Sequence, residues 1–179
     1  MSAENVRPRN KLMNNRLLVQ GALLIATAAV LQFLRLILPL PPVLSTFIIG
    51  SLVNMMLVIT GRMAGMAAAC VLTFLLPVLA YMQGQLALPF LIPVVIAGNL
   101  LYVWLTRRST GKFVDYLLAP LGKTAVMIGA AKLVLVFLQV PAGPLTKNIL
   151  FAMSVPQFIT GIAGIVLAKK IMNKLKKVY

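Results

Sequence analysis

The stretch RPRNKLMNNR-LLVQGALLIATAAVLQFLRLIL-PLPP, residues 7–42, decides the fold of this chain. It opens with Arg7, Arg9, Lys11 and Arg16 and no acid, then runs apolar over residues 17–38. About 20 such residues carry a helix across the hydrocarbon of a bilayer. The run stops at Pro39-Leu40-Pro41-Pro42, where the proline rings and missing N–H groups cannot continue a helix. One membrane crossing is therefore written here, with a basic entry and a short, stiff, uncharged exit.

The same grammar recurs along the chain. Of 179 residues, 61% are hydrophobic, and 17 Lys and Arg stand against 2 Asp and Glu. Hydropathy predicts further spans over residues 44–60, 63–82, 86–106, 122–140 and 148–168, the third kinked or interrupted near Pro77. Residues 113–119 are too short to span and read as an interfacial segment ended by Pro120. The cations cluster in alternate gaps: the N-terminal tail, Arg62, then Arg107, Arg108 and Lys112, then the tail with Lys169, Lys170, Lys174, Lys176 and Lys177. Cytoplasmic loops carry that excess. The expected fold is an all-α integral membrane protein, a bundle of six transmembrane helices with both termini cytoplasmic. Residues 1–16 and 169–179 are expected as cytoplasmic basic tails flanking a transmembrane domain over 17–168. The runs show no period-2 alternation, which argues against a β-barrel. No small-residue cleavage site ends the first run, so it reads as a retained helix. No internal repeat is visible. A nucleic-acid binder would carry its cations on a soluble surface, and no nucleic acid is expected as a partner.

Enzymatic chemistry lacks its parts. There is no His, and the acids are Glu4, in the tail, and Asp115, near the inner surface. Acid pairs and metal-ligand sets are therefore missing, and no phosphate-cradling loop of the Walker type is present. No catalytic residue, no metal and no cofactor is assigned. Cys70 lies inside an apolar run and reads as a small packing residue.

Cations off the topology pattern are the informative ones. Arg35 lies near the outer end of the first span, Lys132 near the middle of the fifth, and Lys147 just before the sixth. Charge at membrane depth costs about 2.5–3.5 kcal/mol on the insertion scale unless it finds water or a partner. Arg35 and Lys147 can snorkel to the interface. Lys132 either faces water or is visited by something anionic. Gln32, Tyr81, Gln85, Asn99, Asn148 and Gln157 lean to the same outer half. Each alone suits helix–helix glue; together they suggest a pocket. Trp104 suits a membrane-interface anchor. Ala22, Ala26 and Ala29 form a small-residue stripe on the first helix, and Gly161, Gly164 and Ala168 another on the last. Either stripe can serve packing inside the bundle or docking of a partner.

With these features in hand, the chain resembles the substrate-binding S components of energy-coupling factor (ECF) transporters. The likeness rests on length, the six-span plan, the Ala22-xxx-Ala26 spacing, the Pro39-Leu40-Pro41-Pro42 connection, Gly98-Asn99-Leu100-Leu101 and Ala130-Ala131-Lys132. It implies a prokaryotic plasma-membrane subunit that captures a vitamin-like solute in an outer pocket. It also implies docking through the first helix onto a transmembrane coupling subunit, itself bound to two ATPase subunits that use the ATP. A solute that is anionic or neutral suits the acid-free outer half. The competing readings are a structural scaffold of the MreD kind and a stand-alone secondary carrier.

Overall fold

The computed structural model describes residues 7–109 and 113–178. Glu4 and Lys112 lie outside them, as do the side chains of Asp115, Lys176 and Lys177. The order is α1 (Arg7–Ile37), α2 (Pro42–Met63), α3 (Met66–Met82), a 3-10 turn (Pro89–Leu91), α4 (Ile92–Arg108), α5 (Phe113–Phe137), α6 (Pro144–Ala152) and α7 (Val155–Val178). Among the described residues there is no strand. Five helical segments are long and apolar enough to cross a membrane, and α3, at 17 residues, is a shorter apolar helix. The protein is a helical membrane protein.

Three boundaries differ from the hydropathy reading, each for a local reason. Both basic tails continue as helix, α1 from Arg7 and α7 to Val178. Pro8 falls in the first turn of α1, where a missing N–H costs nothing, and no Gly or Pro follows Gly164 in α7. Residues 113–119 are not a separate interfacial segment. They are the first turns of α5, which passes through Pro120. Pro120 is buried, and its ring is seated where α7 leaves room at Gly161; a Cβ on Gly161 would lie 3.0 Å from Pro120 Cβ. The sixth span is broken into α6 and α7 at Met153-Ser154. A continuous helix would drive the Pro156 ring into the carbonyl of Ala152. That carbonyl instead accepts from Gln157 Nε2 at 3.3 Å, and Phe151 O accepts from Ser154 N at 3.0 Å. At Pro77, by contrast, α3 runs on as one helix.

The early part of α1 and the late part of α7 meet at one pole of the bundle. Arg16 on α1, Arg62 at the end of α2, Tyr116 on α5 and Lys169 on α7 face a common cavity there. Helix α2 is central: every residue from Asn54 to Gly61 is buried, so all its faces are covered over two turns. Its closest neighbour is α7. A Cβ on Gly164 would lie 2.6 Å from Asn54 Cβ and 2.8 Å from Met55 N. The Gly161, Gly164 and Ala168 stripe is thus spent on internal packing. Outside, Leu18, Val19, Leu23, Leu133, Val136 and Phe137 are exposed. Apolar surface of that extent suits acyl chains and not water.

Gly164→Ala tests this contact, because the obstructing atoms include α2 backbone. Overpacking of this kind costs about 1–3 kcal/mol. Gly129→Ala in α5 is the reference, since a Cβ there meets nothing within 4 Å, and it should gain roughly 0.5–1 kcal/mol. Thermal unfolding in detergent should lower the midpoint of the first and preserve or raise that of the second. A midpoint for Gly164→Ala at the wild-type value contradicts the close α2–α7 approach.

Candidate functional site

Between the packed layers lies a cavity of about 170 Å3 lined from α1, α2, α3, α4, α5, α6 and α7. Its deep wall is a chain of hydrogen bonds. Lys123 Nζ on α5 donates to Asn54 Oδ1 on α2 at 2.6 Å, and Asn54 Nδ2 donates to Thr160 Oγ1 on α7 at 3.1 Å. Thr160 Oγ1 in turn donates to Pro156 O at 2.7 Å. The carboxamide is thereby oriented, its oxygen toward the amine. Lys123 is 2% exposed, and its Nζ stands 5.2 Å from the centroid of the Tyr102 ring, within cation–π range. The Tyr102 hydroxyl donates to Gly161 O at 2.7 Å, tying α4 to α7.

Toward the other pole, Gln32 Nε2 on α1 lies 3.4 Å from Gln83 Oε1 and 3.3 Å from Gln85 Oε1, and Gln85 Nε2 donates to Gln83 Oε1 at 2.7 Å. This glutamine cluster joins α1 to the connection after α3. Arg35 lies about a turn beyond Gln32. Two lining side chains carry buried polar atoms with no partner among the described residues, Arg35 Nε and Asn99 Oδ1. Leaving such groups unpaired costs about 1–3 kcal/mol each, so they call for water or a polar solute. Among the described residues, no acidic side chain lines the cavity. Two cations and several amides facing one space are chemically suited to an anionic or strongly polar group.

Of the residues expected at the site, Gln32, Arg35, Gln85, Asn99 and Gln157 line this cavity, and Tyr81, Lys132, Lys147 and Asn148 do not. Lys132 is exposed on the outside of α5, and Lys147 and Asn148 are exposed on α6. The expectation that Lys132 faces the pocket is corrected: Lys123 does. Lys132 follows Lys123 by nine positions, about two and a half helical turns. The two therefore project from opposite faces of α5, and the bundle admits only one. The spacing could have shown this; the apparent stop at Pro120 hid it. Asn54 and Thr160 lacked any signal beyond being polar in apolar runs.

The first-helix stripe takes the opposite fate from that of α7. Ala22 and Ala26 are exposed and Ala29 is half-buried, while Gly21 and Ala28 are buried. The inward face of α1 packs on α3, with a Cβ on Gly21 reaching 3.0 Å from Ala68 Cβ. Ala22 and Ala26 are left on the outer surface, with Ala29 at its margin. No family model matches the chain, and no curated protein or solved structure matches it either.

Proposed function

We propose that the protein is the membrane-embedded solute-binding subunit of an importer of the ECF type, with six spans and both termini in the cytoplasm. It captures a compact anionic or polar solute from outside, and partner ATPases drive release through a coupling subunit. One observation carries this reading. A lysine bonded to the Asn54 carboxamide, with no carboxylate partner among the described residues, is buried at the wall of a cavity to which all seven helices contribute. A scaffold gains nothing from such a cation, because each buried charge without a counter-ion lowers stability. The broken α6–α7 span adds support. Irregular backbone at membrane depth is tolerated where it lines a cavity, and discontinuous helices commonly build solute sites; Ala152, Met153, Pro156 and Gln157 line this one. The volume of about 170 Å3 equals the liquid share of roughly six waters. It suits a compact solute, or the charged head of a larger one, more than a bulky vitamin.

The test is purification of the protein from its own cells in mild detergent, followed by native mass spectrometry. The expected result is a retained small molecule together with a coupling subunit and two ATPases. Cell-wall elongation proteins as companions, with no retained small molecule, would establish the scaffold reading instead. Ion-driven uptake by the isolated protein in liposomes would establish the secondary carrier.

A further inference from the structure

A second cavity, larger than the first, is at the opposite, basic pole and takes no part in the site above. It encloses about 680 Å3 between α1, α2, α5 and α7. Its cations among the described residues are Arg16, Arg62 and Lys169. Arg62 is held in place: its Nε and Nη2 donate to Thr106 O at 3.1 and 2.6 Å. A guanidinium has five N–H donors, so others stay available. Lys169 Nζ is steadied 5.0 Å from the centroid of the Tyr116 ring. The cations alternate with Val58, Met63, Ile165 and Met172.

We propose that this cavity is a binding site for a phosphate-bearing group, supplied by the headgroup of an anionic phospholipid. Three cations from three helices converge on one space, and that concentration of positive charge favours an anion. Planar guanidinium groups match phosphate oxygens two at a time. The apolar residues between them suit the glycerol and first methylenes of a lipid, which free phosphate would leave bare. Basic pockets between transmembrane helices bind lipid headgroups by this combination. An acidic segment of a partner protein would satisfy the cations but not the apolar walls. The site rests on the geometry of the basic pole and is independent of the importer reading.

The experiment uses the full chain in detergent, given phosphatidylglycerol, phosphatidylcholine or inorganic phosphate, with native mass spectrometry to count bound molecules. Phosphatidylglycerol should be retained in preference to phosphatidylcholine. Arg16→Gln/Lys169→Gln should weaken that retention about twenty-five-fold, taking roughly fivefold per cation near a membrane surface. This double variant leaves Arg62 and its bond to Thr106 in place, so the fold is preserved, and an unchanged thermal midpoint without lipid verifies it. The charge-matched control is Lys170→Gln/Lys174→Gln, outside the cavity, and should change retention less than about twofold. Displacement of the lipid by millimolar inorganic phosphate would keep the phosphate site and reassign its source. Equal loss in both double variants would reduce the effect to diffuse attraction and overturn the proposal. So would equal retention of the two lipids, or binding only of an acidic partner peptide.

Discussion

Lys123→Met should abolish capture of an anionic solute while leaving the bundle folded. Truncating one member of a desolvated charged pair costs about 2–5 kcal/mol, which is roughly thirty- to several-thousand-fold in affinity. Stability moves differently. The variant loses the Lys123–Asn54 bond of 2.6 Å, and the stranded carboxamide oxygen costs about 1–3 kcal/mol. Against that, a cation is removed from membrane depth, a gain of about 2.5–3.5 kcal/mol on the insertion scale. The ligand-free midpoint should therefore stay near wild type or rise while binding collapses. A lysine that serves only to brace α2 and α5 would lower both. Lys132→Met is the internal control, since Lys132 is exposed on the far face of α5. It should leave affinity unchanged. Calorimetry on the retained solute, paired with thermal unfolding, reads both quantities. Wild-type affinity in Lys123→Met, or a large loss in Lys132→Met, would reverse the assignment.

The two lysines also show where the sequence was legible. Apolar run length and alternate-gap charge are properties of the lipid solvent, so the helical membrane class follows from composition alone. That a cation lies at depth in the fifth span was also readable. Which cation it is depends on where α5 begins, and hydropathy places its start after Pro120. Proline is a stop only when its ring meets the preceding turn without relief, and α7 supplies relief through Gly161. The membrane-crossing segment of α5 begins at Tyr116, so Lys123 lies about seven residues in, roughly 10 Å along the axis. That is about a third of the way across a typical hydrocarbon core. A helix boundary set by tertiary packing thus moved the cavity's cation by nine positions.

Pro156 makes the complementary case. It lies inside the apolar run that hydropathy predicts as one span over residues 148–168, yet the helix breaks just before it, between α6 and α7. What distinguishes it from Pro77, which α3 absorbs, is its neighbourhood. Gln157 follows it and returns its side chain to the orphaned Ala152 carbonyl, so the break is satisfied locally. The polar residues expected to lean to the outer half divide by the same logic. Gln32, Gln85, Asn99 and Gln157 reach the cavity, whereas Asn148 and Lys147 lie on α6, whose direction is set by the break. Spans are one-dimensional and legible; the azimuth of each residue about a helix that stops early is not.

On the proposed importer reading, Ala22→Trp/Ala26→Trp should stop uptake by the complex without disturbing solute binding. Both alanines are exposed, so the indoles project into lipid and need not displace any core residue. Small side chains at this spacing let a second helix approach closely, and two indoles deny that approach. Interface anchors commonly carry 2 kcal/mol or more each, so loss of docking by about thirtyfold or more per site is expected. Uptake in reconstituted vesicles, co-purification of the coupling subunit, and solute retention measured together separate the outcomes. Gly21→Trp is the counter-case one residue away. Its side chain would be driven into Ala68 on α3, where even a Cβ comes to 3.0 Å, so folding and binding should fail together. Because Gly21 and Ala22 differ by a single residue on one helix, only the direction each faces separates the two results. Transport at the wild-type rate by Ala22→Trp/Ala26→Trp would mean that the outer face of α1 meets lipid alone, and the docking surface would have to be sought elsewhere on the bundle.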